Sequence, residues 1–510
     1  MQDMRNLLST ARLIPAACAM LLSLHAEAAA YRPAMQSPPD SAEATRRLPD
    51  TSYVSVKSFA WDVAVADTST SGRLLYLHDP YADSTLNVLT FRGGQFRNMP
   101  KPGRLDSIPS MLRVEWEFKT AFESKKTPYG IWGGGSGWTG QPLYVEWPDS
   151  SAVKEIILGS LCGRVYRIDF ESGKASGDDI LIGNILKGTV SLDPDLNGLL
   201  YVGHGVEKQK PFGASVVDLR QGKVIQDFGR DKRAYRGWGA SDGSAVVAGG
   251  FLFRPAENGV IYKYLRTAEG LKLHSSARYR DARKRAPGME ASMAVYLNYG
   301  YVSDNAGNII CINLDTLMPV WTYFNHDDSD ASPVLEVVDG IPYLYSGTEL
   351  DKQGETGDAH LVKLNGLTGE KVWEYRHPCR QSNGKEGGMY STPLLGRGDC
   401  EGMLFTNFET HKPAFAGEFV ALDTGTGEVK YTIPFTRYVW ASPLPFYDPE
   451  GHLYIVQPDC RGMMYLIEGK TGRIISKLQV GRNFEGSGVV VGDCLVSGSR
   501  GDKIYKVKVL

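Results

Sequence analysis

The chain lacks most of the signatures by which an enzyme or a nucleic-acid-binding protein is recognised. No CxxC or CxxCH occurs among its seven cysteines, so zinc clusters and c-type haem attachment have no support. No two cysteines are adjacent. None of the nine histidines sits in a recognisable catalytic motif, and no G-x-S-x-G elbow falls on a strand-to-helix turn. An excess of one charge is missing too. With 56 basic and 58 acidic residues the formal charge is −2, neither sign runs in long blocks, and a basic nucleic-acid footprint is excluded. After the first thirty residues no apolar run approaches the roughly eighteen that a membrane span requires.

What is present begins with an export signal. Arg5 and Arg12 precede an apolar stretch, Leu13 to Leu24, and Ala26-Glu27-Ala28 supplies a small-x-small cleavage pattern. The layout assigns residues 1–28 to a secretory signal and the mature chain to the periplasm or the extracellular space. Cys18 does not end the apolar stretch, as a lipidated cysteine would. Six cysteines remain in the mature chain, and strand order puts Cys379 and Cys400 on opposite faces, so they are not expected to pair. Residues 29–110 read as a leader. Its Pro-rich part runs from Arg32 to Pro49, and a short hairpin is expected from Val54 to Ala66 and Leu74 to Leu77.

Residues 111–510 carry repeats, which decide the fold. One phrase, an apolar strand followed by Asp or Asn and then Thr-Gly, recurs at Val420 to Val429 and Val362 to Trp373. Weaker copies lie at Tyr465 to Ile474, Tyr166 to Lys174 and Val216 to Val224, and Cys311 to Trp321 keeps the strands without the glycine. Each copy makes sense as a hairpin, because Asp or Asn bonds its own backbone and Gly accepts a positive φ. A second phrase places a small residue before a Ser or Thr that leads into an apolar strand. It occurs at Gly140-Gln141 (with Gln in that place), Gly188-Thr189, Ala240-Ser241, Ala291-Ser292, Ala331-Ser332, Ser391-Thr392, Ala441-Ser442 and Gly486-Ser487, at steps of 40 to 60 residues. Eight copies at that step fit eight four-stranded blades, and small residues are what a crowded axis admits. The last copy has room for only three strands. Arg113-Val114-Glu115-Trp116-Glu117-Phe118-Lys119 reads like an outer strand and supplies the fourth, covering an exposed edge. The expected fold is all-β: an eight-bladed propeller of four-stranded antiparallel blades, closed by an N-terminal strand.

The Asn365 to Trp373 phrase resembles the repeat of the pyrroloquinoline-quinone (PQQ) propellers, shared by quinone-dependent alcohol dehydrogenases and by the outer-membrane-assembly lipoprotein. The resemblance covers roughly residues 110 to 510 and implies that Trp373 and Trp321, and less faithfully Tyr431 and Phe228, pack between neighbouring blades. It speaks for the fold more than for chemistry. The dehydrogenases it resembles carry an adjacent-cysteine disulfide, a Ca²⁺ held by Glu, Asn and Asp, and a catalytic Asp. This sequence has no Cys-Cys pair and no motif onto which the other residues can be carried.

Propeller ligands bind at the axial mouth, so the residues two or three before each Ser or Thr (or Gln141) are the candidates. The ligand-binding set is Trp138, Lys187, Trp238, Glu290, Asp330, Tyr390, Trp440 and Glu485, with Thr139 and Gly239 in the same positions. Carboxylates, a lysine and aromatics suit a sugar, a peptide or a flat cofactor. Glu290, Asp330 and Glu485 suit a hard cation, or a glycosidase pair if they face one another across about 5 to 10 Å. The Gly-rich Trp132 to Trp138 run reads as a flexible loop at the mouth, because no helix follows it to bind phosphate. Asp193 to Gly198 reads as a turn between strands rather than a calcium loop. The leading expectation is an exported, monomeric, non-catalytic binding or scaffold module for an extracytoplasmic protein, peptide or glycan, with no cofactor. The alternative is a PQQ- and calcium-dependent alcohol or sugar dehydrogenase with a divergent site.

Overall fold

The computed structural model describes residues 59–510 except 84, 128–129, 149–152, 207–211, 285, 382–385 and 410–415. The expected signal, 1–28, and the leader as far as residue 58 lie outside the described residues. Eight sheets, antiparallel but for the parallel pairing of Gly103–Arg104 with Phe446–Tyr447, form a ring, an eight-bladed β-propeller, and among the described residues two single 3-10 turns are the only helical elements. Blades 1 to 7 span 143–181, 191–228, 246–281, 294–324, 334–380, 394–435 and 444–479. Blade 8 takes three strands from 489–509 and its outer strand, Leu112–Lys119, from the N-terminal side.

Burial explains the hydrophobic pattern. The two strands nearest the axis are covered on both faces by neighbouring blades. Lys154–Ser160 and Met403–Glu409 are accordingly buried almost throughout, whereas the outer strand Val429–Phe435 is mostly exposed or half-buried and buries only Ile433 and Phe435. The Asp-x-x-Thr-Gly turns dock the blades. Asp423 Oδ1 accepts from the backbone N–H of Gly425 and of Thr426, each at 2.9 Å, and Gly427 takes φ +75°. The Trp373 indole of the preceding blade lies on that turn and donates to Thr424 O at 2.9 Å. A Cβ on Gly427 would come within 2.8 Å of that ring. Trp321 meets Gly369 and Gly366 O in the same way, and Tyr431 meets Gly472 and Gly469 O. Trp116, on the borrowed strand, repeats the contact with Gly173 and Phe170 O of blade 1, so the ring closes through the joint used elsewhere.

The leader differs from the expected hairpin. Phe59–Val65 pairs with Gly270–Asp281 as a fifth strand on blade 3, and Leu74 to Leu77 carries no strand. The chain then enters the axial channel and touches every blade. Val88 pairs with Tyr144, Leu89 O accepts from Leu192 N, and the Gln95 amide donates to Val247 O. Gln95 O and Phe96 O accept from Val295 N and Leu335 N. Arg92 donates to Pro393 O and Pro443 O, at 2.8 and 3.0 Å, and Arg104 N donates to Gly492 O. A sequence reading misses this plug because most of it is irregular backbone, bonded to inner-strand groups that lie from 56 (Val88 to Tyr144) to 388 (Arg104 to Gly492) residues away.

Candidate functional site

Each inner strand starts at the mouth, and a run of hydrogen bonds links the starts. The Ser or Thr hydroxyl of one blade accepts from the backbone N–H of the previous one. Gln141 N to Thr189 Oγ1 is 2.8 Å, Ser244 N to Ser292 Oγ and Ser292 N to Ser332 Oγ are 2.9 Å, and Thr392 N to Ser442 Oγ is 3.0 Å. Ser332 to Thr392 and Ser442 to Ser487 continue it at 3.2 and 3.3 Å. In blade 3 the linking residue is Ser244, not Ser241: Gly243-Ser244 holds the place to which the sequence pattern assigned Ala240-Ser241. The mouth residue two positions earlier is therefore Asp242 instead of Gly239. A Cβ on Gly188 would lie 1.8 Å from Asp242 O, so the backbones abut there.

That shift exposes a buried charge cluster. Lys187 pairs with Asp242 Oδ2, with side chains 10% and 1% exposed. Trp238 donates its indole N–H to Glu257 Oε2. One oxygen each from Asp242, Glu257 and Glu290 falls within 4.8 Å of the others. Burial, with Lys187 opposing it, pushes Asp242 up to about 6. Burial and the carboxyls of Asp242 and Glu290 push Glu257 well above the carboxylate range. Burial would lower Lys187, but Asp242, Glu257 and Glu290 outweigh it and keep the ammonium charged.

A second group lies in blade 5. Oxygens of Asp328, Asp330 and Glu349 also fall within 4.8 Å of one another. Burial pushes Asp328 up to about 7 against the pull of Lys352, and burial together with Glu349 and Glu290 raises Asp330 well above its usual range. Burial, with Asp328 and Glu290 adding to it, does the same to Glu349. Glu290, half-buried, thus acts on both groups.

The aromatic candidates gather around Trp138. Its ring meets Tyr390 edge-on at 5.9 Å and Trp440 at 6.3 Å, Tyr390 stacks on Trp440 at 4.9 Å, and the Lys187 ammonium lies 5.9 Å from the Trp138 centroid. Glu485 stands apart, tied to Arg500 at 3.2 Å and to the Asn483 amide at 2.8 Å. The Gly-rich run is paired rather than loose. Gly130–Gly135 forms a hairpin with Glu123–Thr127, and Gly134 and Gly135 pair with Gly501 and Arg500 of blade 8.

Sequence reasoning missed Asp242, Glu257, Asp328 and Glu349. Glu257 and Glu349 follow the second strands of their blades, Phe251–Pro255 and Ile341–Gly347. Second strands run antiparallel to the inner ones and so return to the mouth, and polar residues just beyond their ends were a readable signal.

No family model matches the chain, and no curated protein does. Solved structures do. A europium-containing methanol dehydrogenase superposes with TM-score 0.59 at 13% identity, covering 84% of this chain and 99% of that one. A quinohemoprotein alcohol dehydrogenase from Comamonas testosteroni gives 0.59 at 14%, covering 84% and 81%. BamB from Moraxella catarrhalis gives 0.51 at 16%, covering 78% and 99%. At these identities the likeness is one of fold. It supports the eight-bladed propeller fold and nothing finer. No helix among the described residues is long and apolar enough to cross a membrane.

Proposed function

We propose that the protein is an exported, non-catalytic propeller whose mouth binds a cationic side chain of an extracytoplasmic protein or peptide. One observation carries the reading: two carboxyl triads linked through Glu290, beside the Trp138, Tyr390 and Trp440 rings. Crowded carboxyls retain protons because their charges repel, and an arriving ammonium or guanidinium relieves that repulsion. Aromatic faces add to its attraction. Lys187 is already matched by Asp242, so an arriving cation would be met by the remaining acids, which give up protons as it binds.

The dehydrogenase alternative draws support from the same oxygens. Asp328, Asp330 and Glu349 are the donors that would hold Ca²⁺, which would supply positive charge to a bound oxygen. A flat quinone fits less well, because Trp138, Tyr390 and Trp440 pack against one another and Lys187 lies over Trp138. Tryptophan fluorescence of the mature protein separates the readings. Saturable change with a tri-lysine peptide, weakened by Glu290→Gln but not by Glu428→Gln on an exposed turn, supports cation capture. Saturable change with PQQ only when Ca²⁺ is present overturns it.

A further inference from the structure

We propose that His326 and His360, backed by Glu374, form a binding site for a borderline divalent transition-metal ion such as Zn²⁺ at the seam between blades 4 and 5. The site uses none of the mouth residues named above and does not depend on that reading.

Three elements bring the residues together. His326 follows the outer strand of blade 4, Met318–Phe324, with its backbone at φ +73°, a left-handed conformation uncommon for any residue but glycine. The residues on either side are anchored: Asn325 N donates to Gly307 O at 2.7 Å, and the buried Asp327 accepts from the backbone of Asp351 and Lys352. That turn holds the His326 ring against His360 of blade 5, with centroids 4.4 Å apart and planes at 28°. His360 pairs with Arg376 across Thr356–Asn365 and Lys371–Arg380, so Glu374, two positions away, falls diagonally on the same face. One ligand atom from each of the three lies within 4.8 Å of the others.

The hydrogen bond at His360 fixes the chemistry. Its Nδ1 lies 2.7 Å from Glu374 Oε1. Glu374 also faces the cations of Lys371 and Arg376, the setting of a carboxylate. A carboxylate only accepts, so in the neutral ring His360 Nδ1 is the donor and the lone pair is on Nε2. A carboxylate behind one ring nitrogen with the other left to bind is how ligating histidines are oriented. His326 is exposed, so its ring is open to an arriving ion. Two imidazole nitrogens suit Zn²⁺, Ni²⁺ or Cu²⁺ rather than Ca²⁺ or Mg²⁺. Lys371 and Arg376 already reach Glu374, at 2.5 and 3.0 Å, and can stay there because the carboxylate acts from behind the ring. The ion would join a turn of blade 4 to a strand of blade 5. No sequence motif signals it, since the two histidines come from different blades.

Titration of the mature, metal-free protein with Zn²⁺ at pH 7.5 tests the site, with Co²⁺ absorption as a second readout. One equivalent should bind and raise the thermal midpoint. His326→Ala, a change at an exposed position, should weaken binding at least tenfold and abolish that rise while leaving the metal-free protein equally stable. His360→Gln should lose binding as well. His452→Ala, at the separate Asp448, Glu450 and His452 group, should bind as wild type. No binding, unchanged affinity in His326→Ala, or an equal loss in His452→Ala would each overturn the proposal.

Discussion

Replacing Arg97 with alanine should cost the protein about 4 kcal/mol. The guanidinium is fully buried in the axial channel and reaches four acceptors: Met293 O at 2.8 Å, Phe91 O at 2.8 Å, Thr90 Oγ1 at 2.9 Å and Ser244 O at 3.3 Å. Hydrogen bonds from a charged donor contribute about 1.5 to 3 kcal/mol each, and alanine leaves those acceptors unpaired in a site with little room for water. The burial of the charge, which lowers Arg97 to about 10, offsets part of the loss. A net of about 4 kcal/mol matches what is lost when one member of a buried charged network is removed. Arg113, whose side chain is 55% exposed, makes an ion pair of about 0 to 1 kcal/mol and serves as the control. Arg97→Lys keeps the charge but not the planar fork, and should fall between them. The assay is equilibrium urea unfolding, with refolding traces overlaid to establish reversibility. If Arg97→Ala and Arg113→Ala unfold at the same urea concentration, the leader does not brace the ring.

Gly427→Ala, at φ +75° and with its new Cβ against Trp373, should destabilise by about 1 to 3 kcal/mol in the same assay. Ser292→Ala removes the partner of Ser244 N and should cost about 1 to 2 kcal/mol, whereas Ser241→Ala leaves that run of bonds intact. Asp328 has a folded pKa raised from 3.8 to about 7. The folded state therefore binds its proton more tightly, and this contribution to stability is full below about pH 4 and lost as the pH rises through 7. Asp328→Asn should stabilise the protein at pH 8 by at least about 1 kcal/mol and change little at pH 4, as urea midpoints at the two pH values will show.

The architecture was legible because its causes are local. A turn that needs Asp, Thr and Gly repeats with each blade, and a small residue must precede each inner strand wherever eight of them converge. Trp116 and its neighbours could be assigned to blade 8 because they read like Lys371 to Tyr375. The site was legible only in part. Lys187, Glu290, Asp330, Tyr390 and Trp440 lie two residues before a hydrogen-bonded strand start, and Trp138 lies three before one. Asp242 was hidden because Ala240-Ser241 imitates the small-Ser phrase three residues before Gly243-Ser244. Trp238 was reached through that displaced register, and its indole N–H meets Glu257, which no inner-strand pattern marks. The plug was invisible for a different reason: nothing near Arg92 or Arg97 in the sequence marks the backbone carbonyls of distant strands that surround them.

Calorimetric titration of the mature protein with tri-lysine peptide, at pH 6 and pH 8 in buffers of different ionisation enthalpy, tests the central claim most directly. Asp242 and Asp328 titrate near 6 and 7, so a cation arriving among these carboxyls should displace protons. The account predicts binding that is tighter at pH 8, with proton release at pH 6 that shrinks at pH 8 and is reduced in Glu290→Gln. No binding at either pH, or binding without proton release and indifferent to Glu290→Gln, would contradict it.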